Sequence, residues 1–354
     1  MKANAKLPVH GASVLPSVSV ESYNLEIKDN GGFVGDKASK SAFARILKKW
    51  VDLAGEAGRE PLGNIDLANP DKDKLAALLA DGDPDAASLV MSALAEYSHE
   101  LAAVLKRYLR LKEWKKVSSV VVGGGFMANR LGQVAIARTE WLLRAEGIKL
   151  ALVPIRNDPD EAALLGGVHL LPPWMFASHK AMLAVDIGGT NIRAGIVKFR
   201  GRTAQRGKAK VGRLLMWRHA DEEVSREAAA RRLVRMLKSL IETADRKHIR
   251  LIPLIAIACP GRIDEQGYIE IGGQNLPGNW ESGNFNLPDL IQAKIPHIGK
   301  GDTLVIMHND AVVQGLSEIP RMKDVKKWGV LTIGTGLGNA AFASRTIKKG
   351  KKRT

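Results

Sequence analysis

The chain has 354 residues, 45% apolar and 25% charged, long enough for two domains with a core each. No apolar run approaches the roughly 20 residues of a membrane span, and the opening "MKANAKLPVHGASVLPS" lacks the apolar segment of a secretory signal. A single cysteine, Cys259, excludes an intramolecular disulfide and a cysteine-rich zinc site, so a cytoplasmic protein is expected.

The formal charge of +16 raises attraction to polyanions. Its densest segments, "RGRTAQRGKAKVGR" at 200–213 and "KKGKKR" at 348–353, read as a solvated loop and end. No aromatic residue interleaves with their cations, so specific nucleic-acid recognition is not expected.

In chain order, residues 2–31 are irregular apart from the alternating "SVSVESYNLEI". "SKSAFARILKKWVDLAG" then shows helical spacing that stops at glycine. The longest helix is predicted over "DPDAASLVMSALAEYSHELAAVLKRYLRL", with Asp83 as N-cap, Pro84 in the first turn, and Val90, Met91, Leu94, Leu101, Val104, Leu105 and Tyr108 as its apolar stripe. His99 lies off that stripe and reads as a surface residue.

"SSVVVGGGF", a helix through "QVAIARTEWLLRAEG" and the strand "LALVPI" make a β-α-β unit with glycines at the carboxyl end of its first strand. That end is where open α/β sheets form ligand crevices. The helix "DPDEAALLGGVHLL" follows, and "PPWMFASHK" reads as a linker.

Next come the strand–turn–strand "MLAVDIGGTNIRAGIVKF", the helix "SREAAARRLVRMLKSLIETADR", the strand "LIPLIAIACPG" and a long loop. "TLVIMHNDAVVQGLSEI" gives strand then helix, and "WGVLTIGTGLGNAAF" is a hairpin. Alternation of this kind is that of an α/β protein.

Three glycine clusters at strand ends suit phosphate, because glycine permits positive φ and close backbone approach. Gly334, Gly336 and Gly338 do not fit the G-x-G-x-x-G dinucleotide fingerprint, and a strand rather than a helix follows. Asp186 ends an apolar strand, where an unpaired carboxylate is costly, and Mg²⁺ on nucleotide phosphates would relieve that cost. Asp310 ends "TLVIMHND" where a helix begins, placed either to cap that helix or to take a proton from a substrate hydroxyl.

Taken together, "DIGGTNIRAGI", "ACPGRID", "QNLPGNW", "HNDAVVQGLSE" and "TIGTGLGNA" resemble the successive motifs of the ROK family of sugar kinases and regulators, in the actin-like superfamily. "VVVGGG" and "DEAALLGG" resemble that family's adenosine and closing motifs, which in the family come after the "GTGLG" hairpin and here precede "DIGGT". The order reads as a circular permutation of two actin-like, ribonuclease H-like lobes around a nucleotide cleft. One lobe is expected at 1–155 with 306–354, the other at 156–305.

The resemblance implies ATP and Mg²⁺ as cofactors and a sugar or polyol as substrate; family members are often homodimers. It implies that Gly188, Gly189, Thr190 and Asn191 contact phosphates from one lobe, and Gly334, Thr335, Gly336 and Gly338 from the other. Asp186 would stand by the metal, Gly123, Gly124 and Gly125 by the adenosine, and Asn275 and Asn309 by sugar hydroxyls, with Asp310 as general base.

The family's zinc motif and sugar-binding glutamate have no counterpart in "NGGFVGDKAS", where Gly35 falls at the glutamate's place. Its E-x-G-H is matched only by "LPVHG", which offers His10 as a sugar ligand with Leu7 in place of glutamate. The nucleotide half looks complete and the sugar half thinned. A kinase, a non-catalytic nucleotide or sugar sensor, and a DNA-binding regulator are the readings compatible with this, the last without any recognisable helix-turn-helix.

Overall fold

The computed structural model describes residues 8–29, 32–176, 179–199 and 208–345; the basic tail and residues 200–207 of the basic loop lie outside them. The chain forms two compact units, one of residues 1–24, 160–326 and 342–354, the other of residues 25–159 and 327–341. Among the described residues no helix is long and apolar enough to cross a membrane.

In the first unit a five-stranded sheet runs in the order Leu304–Asn309, Leu251–Cys259, Ala181–Ile187, Ile192–Lys198, Lys210–Trp217. The last three strands form an antiparallel meander, and the first two lie parallel to Ala181–Ile187. This is the expected ribonuclease H-like α/β arrangement.

Every residue of "AMLAVDI" is buried, Asp186 included, as a strand covered on both faces requires. One face is covered by the helix Arg226–Arg246, which starts where the Ser225 side chain accepts the Ala228 N–H. Its Leu233, Leu237 and Leu240 pack with Ile192, Ala194 and Ile196 in one core.

The helices Pro159–Gly166 and Asp310–Leu316 meet backbone to backbone. A Cβ on Gly166 would stand 1.7 Å from the Val313 carbonyl oxygen, so only glycine allows this approach.

In the second unit the strands run in the order Leu337–Ser344, Lys327–Ile333, Ser119–Gly123, Ala151–Pro154, the last three parallel. The helices Lys40–Glu56, Pro84–Leu109 and Arg130–Ala145 are those read from the sequence, and Asp83 caps the long one. Phe43, Tyr97 and Phe126 form an aromatic centre with ring separations of 4.8 to 5.7 Å. Met91 is 38% exposed and so outside the stripe assigned to it, while Leu89 and Tyr97 are buried because this helix is covered over more of its circumference than one stripe. A further helix, Lys72–Asp81, buries only Leu75, which is why its pattern is faint in the sequence.

The unit bounds differ from the expected 1–155 with 306–354 and 156–305. The strand Leu304–Asn309 is in register with Leu251–Cys259, which draws residues 306–326 into the first unit. Residues 10–12 join it: the Gly11 N–H donates to the Met307 carbonyl at 3.0 Å, and His10 Nδ1 accepts the Met307 N–H at 3.0 Å. Within the stretch read as a linker, Phe176 is buried with its ring 4.9 Å from Phe199, inside the first unit.

Each unit thus has a hairpin beside two parallel strands, but the hairpin comes first in the chain in one unit and last in the other. In the first unit, Val18–Tyr23 lies beside the end of Leu337–Ser344, where the Arg345 N–H donates to the Ser17 carbonyl at 2.9 Å.

Gly166→Ala is expected to destabilise the protein by about 2–3 kcal/mol through the clash with Val313. Gly55→Ala, in a helix with nothing within 4 Å of the new Cβ, is expected to stabilise by up to about 1 kcal/mol. Urea-unfolding midpoints of the two variants check both signs.

Candidate functional site

The site grows from the ends of the three parallel strands of the first unit. Asp186 and His308 are both in register with Ala258 of the strand between them, so two strand spacings, about 10 Å, separate their strands. Asp310 follows two residues after His308 as the first residue of its helix.

Asn309 is the N-cap. Its Oδ1 accepts the Val312 N–H at 3.2 Å and its Nδ2 donates to the Gly261 carbonyl at 2.9 Å. Only 1% exposed, Asn309 joins the strand end to the helix start. The alternative cap, Asp310, is therefore released from that duty, and its Oδ1 accepts the adjacent Ala311 N–H at 2.8 Å.

Burial first, and then the Asp186 charge, push the Asp310 carboxyl up to about 6. Asp186 is likewise pushed up to about 6 by burial, opposed by Arg193. It is not the unpaired carboxylate that the sequence suggested: Arg193 donates to its Oδ2 at 3.2 Å and also to Asp160 Oδ1 at 2.6 Å. A cation of the chain itself thus offsets part of the cost that Mg²⁺ was expected to relieve.

Between Asp186 and Arg193 lies the turn Gly188–Asn191. Its Gly188 N–H is closed on the Asn191 carbonyl at 2.9 Å, and the carbonyls of Gly188 and Thr190 are engaged by His219 Nε2 at 2.8 Å and by the Ala220 N–H at 3.2 Å. The N–H groups of Gly189 and Thr190 meet no acceptor among the described residues. A turn whose carbonyls are occupied and whose amides are left over suits an anion.

Neither Gly188 nor Gly189 has positive φ, contrary to expectation; what Gly189 provides is space, since a Cβ there would stand 3.0 Å from Asn275 Cβ. Asn275 is exposed beside the turn, and both line a cavity of about 550 Å³ with His219, Glu223, Gln274 and Pro277.

His10 is held against the strand Leu304–Asn309, its ring against Gly267 as well as the Met307 backbone, with its pKa lowered by burial against the raising effect of Asp289 and Asp264.

In the second unit the turn after Lys327–Ile333 repeats the pattern. The Gly334 N–H closes on the Gly336 carbonyl at 3.0 Å, the Gly334 carbonyl accepts the Lys40 N–H at 2.9 Å, and open space surrounds Gly336. Thr335 and Gly338 flank Gly336 in the same turn and following strand, and neither Gly334 nor Gly336 has positive φ.

Gly124 does have it, at +98°, and its Cβ would stand 2.2 Å from the Ile333 carbonyl oxygen. Gly123 ends its buried strand against Ile155, and the Gly125 carbonyl accepts Lys72 Nζ at 2.8 Å. Gly35 lies in the short helix Val34–Ala38 against Leu337 and offers no side chain.

Sequence reasoning missed Arg193, Asp160 and His219. Arg193 is visible in "DIGGTNIRAGI", but its partner Asp160 is 33 residues away, and His219 stands in a segment with no periodic signal. Among the described residues no cluster of three or more His, Cys, Asp or Glu could hold a metal ion.

The family model of the ROK family matches residues 182–353. The match begins inside the strand that carries Asp186 and spans Gly188–Asn191, Asn275, Asn309, Asp310 and the second glycine turn. No curated protein sequence matches the chain.

Among solved structures it is similar to a ROK glucokinase from Streptomyces griseus in complex with glucose and AMPPNP, at 18% identity over 48% of this chain and 47% of that one, TM-score 0.34. It is also similar to a ROK hexokinase from Thermus thermophilus, at 21% identity over 46% of each chain, TM-score 0.31. The chain thus matches about half the length of these structures.

Asp310→Asn is expected to be more stable than the wild type at pH 7.5, by roughly 1–3 kcal/mol, because a buried charge is removed. A carboxyl whose folded pKa is raised to about 6 contributes stability that is complete below its unfolded value and lost as pH rises through the folded one. The advantage of the variant therefore vanishes near pH 4.5, and urea unfolding at both pH values checks it. Equal stability at pH 7.5 contradicts the burial of that charge.

Proposed function

We propose that the protein is an ATP-dependent kinase that phosphorylates a hydroxyl of a sugar or polyol, with Asp310 as general base. The observation that carries this reading is the Asp310 carboxyl. It is freed from capping by Asn309, raised to about 6, and placed in the unit that also holds the anion-ready turn Gly188–Asn191 and the cavity beside Asn275.

A base with a pKa near 6 is ionised at neutral pH and can take the proton of an attacking hydroxyl. The N–H groups of Gly189 and Thr190 would neutralise charge on the transferred phosphoryl group, since phosphoryl transfer is mostly positioning and charge neutralisation. Asn275 would orient the acceptor.

In the second unit, Gly125 and Gly336, with nothing within 4 Å of an added Cβ, offer open backbone beside Gly123–Gly124 and in the turn at Gly334–Gly338 that is suited to a nucleotide. Mg²⁺ would supply further neutralisation of the nucleotide phosphates; Asp186 and Asp310 are the carboxylates that would face it.

The reversed position of the hairpin in the second unit, and the family match starting only at residue 182, support the reading of the chain as a circularly permuted relative. A sensor that binds nucleotide or sugar without turnover is the second reading, favoured by Gly35 at the place of a sugar-binding glutamate and by the engagement of both Asn309 amide atoms.

ADP release is expected with Mg·ATP and at least one acceptor among hexoses, amino-hexoses and polyols. The free-enzyme kcat/KM should rise with pH to a plateau above a midpoint near 6, the ionisation of Asp310. Asp310→Asn should lower kcat by about 10²–10⁴. Tight Mg·ATP binding with no acceptor-dependent release would select the sensor.

A further inference from the structure

The positive charge of the chain is concentrated in one stretch: residues 198–250 contain 16 Lys and Arg against 6 Asp and Glu. The part of it that the structure describes includes the helix Arg226–Arg246, whose inner face is apolar and packs on the sheet of the first unit.

On its outer face Arg231, Arg235 and Lys238 are all exposed. Their i, i+4, i+7 spacing puts them in one stripe about 10 Å long. None of the three makes a hydrogen bond or ion pair among the described residues, although the neighbouring arginines do: Arg226 is bound to Glu227, and Arg232 to Glu222 while stacking on Trp217. Acidic residues return only beyond the stripe, at Glu242 and Asp245.

The edge strand Lys210–Trp217 adds a cation on the same side of the sheet as the helix. Arg213 pairs with Ile196, and cross-strand partners share a face, so Arg213 stands on the face of the sheet that the helix covers. It too is exposed and unpaired among the described residues.

We infer that this face, Arg213 with Arg231, Arg235 and Lys238, binds the phosphate backbone of duplex DNA without reading its sequence. Three of the four cations are arginines, whose planar fork suits phosphate oxygens. The stripe spans a length of duplex axis that carries about six phosphate charges, and a rigid helix presents its cations at fixed spacing.

A lipid surface fits less well. The exposed positions between Arg231 and Lys238 include no apolar side chain to enter a bilayer, and the exposed Met216 pairs with Arg193, on the opposite face of the sheet. A single-stranded partner fits less well too, because no aromatic ring is exposed along the stripe for base stacking.

Fluorescence anisotropy of the full chain with a labelled 20-base-pair duplex, titrated across salt, tests this. Binding should weaken with log salt at a slope near −0.9 per phosphate engaged, about −3 to −4 in all, and should not depend on duplex sequence. The triple variant R231Q/R235Q/K238Q, altered only at exposed positions, should bind at least about tenfold more weakly with a slope smaller by about 3.

Glu242→Lys, which extends the same stripe, should bind more tightly. Unchanged affinity and slope in the triple variant overturn the inference, as does tighter binding to phosphatidylserine-containing vesicles than to the duplex. Melting curves of both variants are expected to match the wild type.

Discussion

The first unit depends on a steric constraint, the backbone contact between the helices Pro159–Gly166 and Asp310–Leu316. With no side chain on Gly166, the Val313 carbonyl can approach the neighbouring helix directly. Asp160 rides at the start of one helix and Asp310 at the start of the other. Arg193, on the strand after the glycine turn, joins Asp160 to Asp186. Packing at close range therefore brings three carboxylates to one end of a parallel sheet, and the chain supplies one guanidinium to two of them.

The electrostatic consequence is that both Asp186 and Asp310 sit well above the usual carboxylate range. Such an arrangement works against stability at neutral pH, because two charges are held out of water. Asn309 takes on the duty of capping, which leaves the Asp310 carboxylate bonded to backbone N–H at its own helix start and available for chemistry. The same division of labour shapes the turn at Gly188–Asn191, where His219 and Ala220 engage the carbonyls and leave amides for an anion.

In the second unit the aromatic centre of Phe43, Tyr97 and Phe126 carries the core, while Asn339 does the polar work. Its side chain both accepts from and donates to the Leu25 backbone, at 3.0 Å each, and donates to Tyr108 Oη at 3.1 Å. Buried at 2% exposure, Asn339 ties the strand after the second glycine turn to a segment more than 300 residues earlier.

From the sequence alone, the α/β class, the long helix capped at Asp83, the two glycine hairpins and Asp310 at a strand–helix junction were legible, because each follows from local periodicity, capping or turn chemistry. The unit boundaries were not, since membership of residues 306–326 is decided by pairing with the strand Leu251–Cys259, and that pairing leaves no local mark. Nor were the Arg193–Asp160 pair, the engagement of His219 with Gly188, or the capping role of Asn309. These depend on which residues meet across long separations, and packing and register decide that only once the chain has folded.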